Sequence, residues 1–178
     1  MLYFATMSPG TFHNQVIWIT GASSGVGEGL AVAFAEAGAR VVLSARRADE
    51  LERVRGRMTA GDHVVLPMDV TDYPALPGKV ALVNDRMGRI DVLICNAGIS
   101  QRSRFAETTL DVFRTIIEVN VMGPAAHIHA VLPVMRAQGS GHVVVTSSVA
   151  GKSGIPNRSA HCASKHAVHR LCDALRAE

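Results

Sequence analysis

The stretch Val16-Ile17-Trp18-Ile19-Thr20-Gly21-Ala22-Ser23-Ser24-Gly25-Val26-Gly27 decides the fold. Its first five residues are all β-branched or aromatic and read as a strand. Three glycines then allow a sharp turn, let the backbone approach a diphosphate without Cβ clashes, and bring the following helix close to the sheet. The helix N-terminus offers unpaired N–H groups and the positive end of a dipole. A glycine triplet by itself also fits an ordinary turn. Its place at the first strand-to-helix junction of a repeating alternation favours dinucleotide binding, with Gly21, Ser23, Ser24, Gly25, Val26 and Gly27 as the contacts.

That alternation runs through the chain. Val16–Thr20, Val41–Ser44, 63–67, Asp91–Cys95 and 142–146 are short, β-branched and apolar, as expected of parallel strands covered on both faces. Between them, Leu30, Phe34 and Ala37 precede Gly38 at helical spacing, Leu51 and Val54 follow the same rule, and Val80, Val83 and Met87 precede Gly88. A longer helix is expected over Thr109–Arg136, with Val112, Ile116 and Val119 on one stripe and a bend at Gly123-Pro124. A last helix runs from Ser159 to Glu178. The expected fold is α/β, a doubly wound parallel-sheet Rossmann fold with strand order 3-2-1-4-5. It reads as truncated after the fifth strand and within the following helix. Residues 1–15 read as an N-terminal extension and 16–178 as one incomplete nucleotide-binding domain.

The composition narrows the function. The chain has 178 residues, of which 48% are hydrophobic and 19% charged, enough for one packed domain. Cys95, Cys162 and Cys172 have no CxxC spacing, so neither a disulfide framework nor a zinc finger is suggested. The net charge of +3 draws on arginines interleaved with acids from Arg46 to Arg57, a mixed helix surface without aromatics to stack on bases, so no nucleic-acid partner is expected. No apolar run reaches the roughly 20 residues of a membrane span and no basic leader precedes one, so a cytoplasmic protein is expected. Cys162, His166, His169 and Asp173 share a helix face, but tetrahedral sites seldom take four ligands from one straight helix, and no metal site is expected. The other histidines, His13, His63, His127, His129 and His142, suggest only polar surface or element starts.

The end of the second strand distinguishes coenzymes. A carboxylate there would hold a ribose 2′-hydroxyl, whereas this chain has Arg46-Arg47, whose guanidinium groups pair with a 2′-phosphate. NADP(H) is preferred, with NAD(H) as the alternative.

Further motifs occur in order: Asn96-Ala97-Gly98 after the fourth strand, Asn120 in the long helix, Ser147-Ser148 after the fifth strand, and Lys165. With the glycine turn, they make the chain resemble the short-chain dehydrogenase/reductase family from about Gln15 to Glu178. Leu43–Arg47, Ile99–Ser103 and Cys162–His166 are similar to its branch called dehydrogenase/reductase member seven, associated with lipophilic carbonyl substrates. The resemblance implies an oxidoreductase that interconverts a carbonyl and an alcohol on a small or lipophilic substrate. It places Asp69 and Val70 on the adenine side and Asn96, Ala97 and Gly98 beneath the ribose. Ser148 would bond the substrate oxygen, Lys165 the nicotinamide ribose, and Asn120 a water leading from that lysine. It also implies a homo-oligomer through the long helix and the last one.

The family's acid/base tyrosine stands four residues before the lysine, and His161 stands there in this chain. Imidazole has an unperturbed pKa of about 6.5 against about 10 for phenol. A neutral ring could accept a proton from an alcohol or donate its single N–H. Its shorter reach argues for impaired turnover, because a misplacement of roughly 1 Å can cost on the order of 10²-fold. A noncatalytic nucleotide-binding relic is the alternative.

Overall fold

A computed structural model describes residues 11–178, so most of the extension expected over 1–15 lies outside the described residues. Five parallel strands, β1 (Val16–Thr20), β2 (Arg40–Ser44), β3 (Val64–Val65), β4 (Val92–Cys95) and β5 (His142–Val145), form one sheet in the order β3-β2-β1-β4-β5. This is the doubly wound arrangement expected from the alternation. The helices are α1 (Gly25–Glu36), α2 (Ala48–Arg55), α3 (Leu76–Met87), α4 (Leu110–Ile117), α5 (Gly123–Gln138) and α6 (Ser159–Ala177).

The two-residue period of a strand sends alternate side chains to opposite faces. On β1, Val16 and Trp18 join a core with Val80, Val83, Leu93, Ile128 and Val131, the side of α3 and α5. Ile17 and Ile19 join the opposite core with Ala31, Ala35, Leu51 and Val54, the side of α1 and α2. β1 is fully buried along its length because both neighbouring positions and both faces are occupied.

The structure departs from expectation in four places. The buried face of α1 is Gly27, Ala31 and Ala35, while Leu30 and Phe34 pack from its flanks. Small residues let the helix lie close to the sheet, and the larger ones then cover its sides. β5 is not covered on both faces: it pairs with β4 alone, and Val144 is 38% exposed. On α4, Ile116 is buried but Val112 is exposed, and the break before α5 is a π-helical turn over Glu118–Met122, ahead of Gly123-Pro124. Pro124 has no N–H for the Asn120 carbonyl, so regular i to i−4 pairing fails there. Finally, His63 and His127 are buried rather than surface groups. His63 Nδ1 accepts from Val41 N–H at 3.1 Å and its Nε2 donates to the Thr59 carbonyl, closing the edge of β2. His127 packs edge-on against Trp18.

Trp18, the only tryptophan, donates its indole N–H to Ser44 Oγ at 2.9 Å inside this core. Ser44→Ala would leave that donor unpaired, so urea unfolding followed by Trp18 fluorescence should show a loss of about 1–3 kcal/mol. Ser24→Ala, at an exposed position, should stay within about 0.5 kcal/mol.

Candidate active site

The site begins at the carboxyl ends of β1, β4 and β5. Thr20 Oγ1 accepts hydrogen bonds from the backbone N–H groups of Asn96 (3.1 Å) and Ala97 (3.2 Å). Asn96 donates from Nδ2 to the Gly21 carbonyl and accepts at Oδ1 from Thr146 Oγ1. Three strand ends are thereby tied through one asparagine. Gly21 has φ +68°, and a Cβ on it would come within 2.8 Å of the Ala97 backbone. A Cβ on Gly27 would run into the Gly21 carbonyl. Both glycines are therefore required for the close crossing of turn and strand.

Beside this knot lies a cleft of ≈ 910 Å³, walled by the glycine turn, the ends of β2, β4 and β5, one side of α4 and the start of α6. Gly21, Ser23, Ser24, Val26, Arg46, Arg47, Asp69, Val70, Asn96, Ala97, Gly98, Ser148, His161 and Lys165 all line it. Gly25 and Gly27 do not line it: Gly25 is exposed, and Gly27 packs against the Gly21 carbonyl. The side chain of Ser24, the N-cap of α1, makes no capping hydrogen bond, so the helix end keeps donors for a ligand.

The charges around the cleft divide into two groups. Arg53 and Arg57 pair with Glu28, and Arg55 pairs with Glu52. Among the described residues, Arg46 and Arg47 enter none of the ion pairs, and both are exposed at the cleft edge. Asp69 Oδ1 accepts from both Thr71 N–H (2.9 Å) and Thr71 Oγ1 (2.8 Å). These bonds, aided by nearby Arg46, hold the Asp69 carboxyl below its ordinary value.

At the other end, Ser148 Oγ accepts from Ala150 N–H, which leaves its own hydroxyl hydrogen for a group in the cleft. Lys165 is 94% buried from solvent by its surroundings, with 6% exposure. Its Nζ donates to the Thr146 carbonyl at 2.7 Å, and burial pulls its pKa down. The ring of His161 lies against Ile99, with Nδ1 at 3.2 Å from that carbonyl. Burial, with the Lys165 and Arg158 cations, lowers its pKa against the raising effect of the Ile99 contact.

Asn120 is fully buried and does not line the cleft. Its Oδ1 accepts from Ile99 N–H, while Nδ2 donates to the Ile99 carbonyl and to Ser164 Oγ, all within 2.9 Å. It braces the loop after β4 against α6. The π turn that carries it is held by Tyr73, whose hydroxyl donates to Glu118 Oε2 at 2.5 Å.

Sequence reasoning missed Thr20 and Thr146, which look like ordinary strand residues until three strand ends are brought together. It also missed Thr115, Glu118 and Val119, which face the cleft from α4 and the π turn. On the last helix, His169 Nε2 meets Ser147 Oγ at 2.9 Å and His166 Nδ1 meets the Cys162 carbonyl, so the shared face is engaged within the protein.

The family model for short chain dehydrogenases matches residues 15–178. The chain belongs to the short-chain dehydrogenase/reductase family. It is 48% identical over 173 residues to the dehydrogenase/reductase SDR family protein 7-like of Anopheles gambiae, covering 93% of this chain and 55% of that protein. A solved short-chain dehydrogenase from Streptomyces avermitilis superimposes with a TM-score of 0.85 at 39% identity, over 90% of this chain and 59% of that one. A metagenomic short-chain oxidoreductase in complex with NADP gives 0.87 at 30% identity, over 92% and 76%. The chain thus spans about half the length of the curated relatives it matches. It shares the Rossmann fold of these solved structures. No helix among the described residues is long and apolar enough to cross a membrane.

The depressed pKa of Asp69 sets an acid-side prediction. Its charged form is favoured in the folded state, so its contribution is complete above the ordinary value of 3.8 and is lost as pH falls through the lower folded value. Asp69→Asn keeps the acceptor but not the charge. Thermal melts should show a smaller loss of Tm between neutral pH and pH 3 in this variant than in the wild type.

Proposed function

We propose that the chain is an NADP(H)-dependent oxidoreductase that interconverts a carbonyl and an alcohol on a small or lipophilic substrate. The observation that carries this reading is the convergence of Ser148, His161 and Lys165 on the same cleft as the uncapped N-terminus of α1. A nicotinamide coenzyme, when bound, supplies or takes up the hydride.

The chain's own residues divide the remaining work. The N–H groups at the start of α1 hold the diphosphate, where the helix dipole favours negative charge. Arg46 and Arg47, which enter none of the ion pairs among the described residues, take the 2′-phosphate and give the preference for NADP(H). Asp69 and Val70 border the adenine, and Asn96, Ala97 and Gly98 lie beneath a ribose. Lys165 keeps ammonium protons beyond the one given to Thr146, and these suit ribose hydroxyls. Ser148 donates to the substrate oxygen, and His161 exchanges the proton there. Asn120 acts as a brace, since both its amide hydrogens are already given to Ile99 and Ser164. The apolar mouth includes Ile99, 38% exposed, which suits an organic carbonyl better than a charged substrate.

NADPH consumption with a panel of ketones and aldehydes tests this reading. Wild-type turnover should be weak, and His161→Tyr should raise it by on the order of 10²-fold by restoring reach. The double change Arg46→Ala, Arg47→Ala should weaken NADPH binding while leaving NADH binding nearly unchanged. Coenzyme binding with no turnover by either wild type or His161→Tyr would instead favour a noncatalytic nucleotide-binding module.

A further inference from the structure

Replacing a phenol by an imidazole changes more than reach, because a neutral imidazole carries one N–H and one lone pair at opposite sides of the ring. Which nitrogen holds the hydrogen decides what the ring can do. In this chain His161 Nδ1 faces the Ile99 carbonyl at 3.2 Å. A carbonyl oxygen only accepts, so Nδ1 must carry the hydrogen. Nε2 is then the lone pair. Among the described residues Nε2 of His161 has no protein partner, and the ring lines the cleft.

The orientation of the carbonyl is itself fixed. Ile99 N–H can only donate, so the Asn120 oxygen must be the atom 2.8 Å from it. That places Asn120 Nδ2 on the Ile99 carbonyl at 2.9 Å and on Ser164 Oγ at 2.9 Å. Ser164 Oγ in turn donates to the carbonyl of His161. Gln101 Oε1 accepts from the backbone N–H of His161, and Gln101 is also buried. The backbone of His161 is therefore held at both its N–H and its carbonyl, and the group that sets the ring's tautomer is clamped by Asn120.

Resting on the oxidoreductase reading above, we infer that His161 is a proton acceptor for alcohol oxidation, with Nδ1–H committed to the Ile99 carbonyl, Nε2 presented to the cleft as the base, and Asn120 as the positioning residue. In this direction a carbinol gives its hydroxyl proton to Nε2. The oxygen lone pair so released forms the C=O bond, and the carbinol C–H electron pair leaves as hydride for an oxidised nicotinamide dinucleotide. Ser148 Oγ–H bonds the same oxygen. The imidazolium then returns its proton to water in the cleft. The reverse reaction needs the imidazolium at the outset. The charged groups acting on the ring are Lys165 and Arg158, both cations, and each opposes a second positive charge. The substrate class is thus a secondary or primary alcohol with an apolar body, and carbonyl reduction is the poorly assisted direction.

Two measurements test this assignment. In the first, the 178-residue chain, labelled with 15N at histidine, is examined by long-range 1H–15N correlation at neutral pH, with His161 assigned by comparison with His161→Gln. Protonated Nδ1 and unprotonated Nε2 are expected. An Nε2–H ring, or an even mixture of tautomers, overturns the assignment, and this arm needs neither coenzyme nor activity. Asn120→Ser should move His161 toward a mixture in the same spectrum. An unchanged tautomer in a folded variant would remove Asn120 from the positioning role.

The second measurement is the pH profile of kcat/KM in both directions. Because the overall reaction releases a proton, the ratio of the two directions must change tenfold per pH unit, and the informative point is which direction carries the change. With His161 as base, oxidation should be level between about pH 7 and 9 while reduction falls tenfold per unit. Level reduction and rising oxidation would overturn the inference. Loss of coenzyme affinity altogether would sink the oxidoreductase reading and the reaction with it. Coenzyme binding with an Nε2–H ring would sink only the proton-acceptor assignment, and the expected tautomer with bound coenzyme and no oxidation of any alcohol would sink its catalytic part.

Discussion

The arrangement of this protein depends on a single hydroxyl oxygen. Thr20 Oγ1 accepts from two consecutive N–H groups, those of Asn96 and Ala97, at the point where β4 ends and a loop must leave the sheet. Parallel strands leave the backbone groups at their carboxyl ends without ladder partners, and a buried unpaired N–H is costly. Thr20 meets both, sharing the Asn96 N–H with the Ile94 carbonyl. Asn96 then reaches Gly21 and Thr146, so the turn before α1 and the loop after β5 share one origin. Everything lining the cleft is measured from that point.

Electrostatics follows from the same placement. The N-terminus of α1 meets the cleft without a side-chain cap, and Arg46 and Arg47 stand at the end of the neighbouring strand. The remaining arginines of α2 and its surroundings are neutralised by Glu28, Glu50 and Glu52. Positive potential is consequently concentrated where an anionic ligand would lie, although the chain as a whole carries only +3. At the opposite end, Lys165 and Arg158 keep the environment of His161 cationic, which favours a neutral ring and a base rather than an acid.

Much of this was legible in the chain itself. The run from Val16 to Gly27 specifies strand, turn and helix by local chemistry, and the alternation of short apolar strands with helices leaves few topologies, so the strand order could be anticipated. The glycine turn and Arg46-Arg47 were accessible from local chemistry, whereas the cleft residues from Asp69 to Lys165 rest on family resemblance rather than on periodicity. Other features depend on tertiary context that no local pattern carries. The buried face of α1 is made of Gly27, Ala31 and Ala35 because proximity to the sheet outweighs side-chain size. His63 is buried because the Val41 N–H of β2, just before the stretch that β3 pairs with, needed an acceptor. The single N–H of His161 looked available for either role in the sequence, and only the position of the Ile99 carbonyl assigns it.

The most direct test of this account is the affinity for NADPH of a Thr20→Val variant, which keeps the shape of the side chain and removes the acceptor. Far-UV circular dichroism should be nearly unchanged, since β1 remains a buried apolar strand. Losing these two half-buried hydrogen bonds at the origin of the cleft should weaken NADPH binding by about 10- to 100-fold. A folded variant that binds NADPH as tightly as the wild type would contradict the claim that this oxygen organises the site.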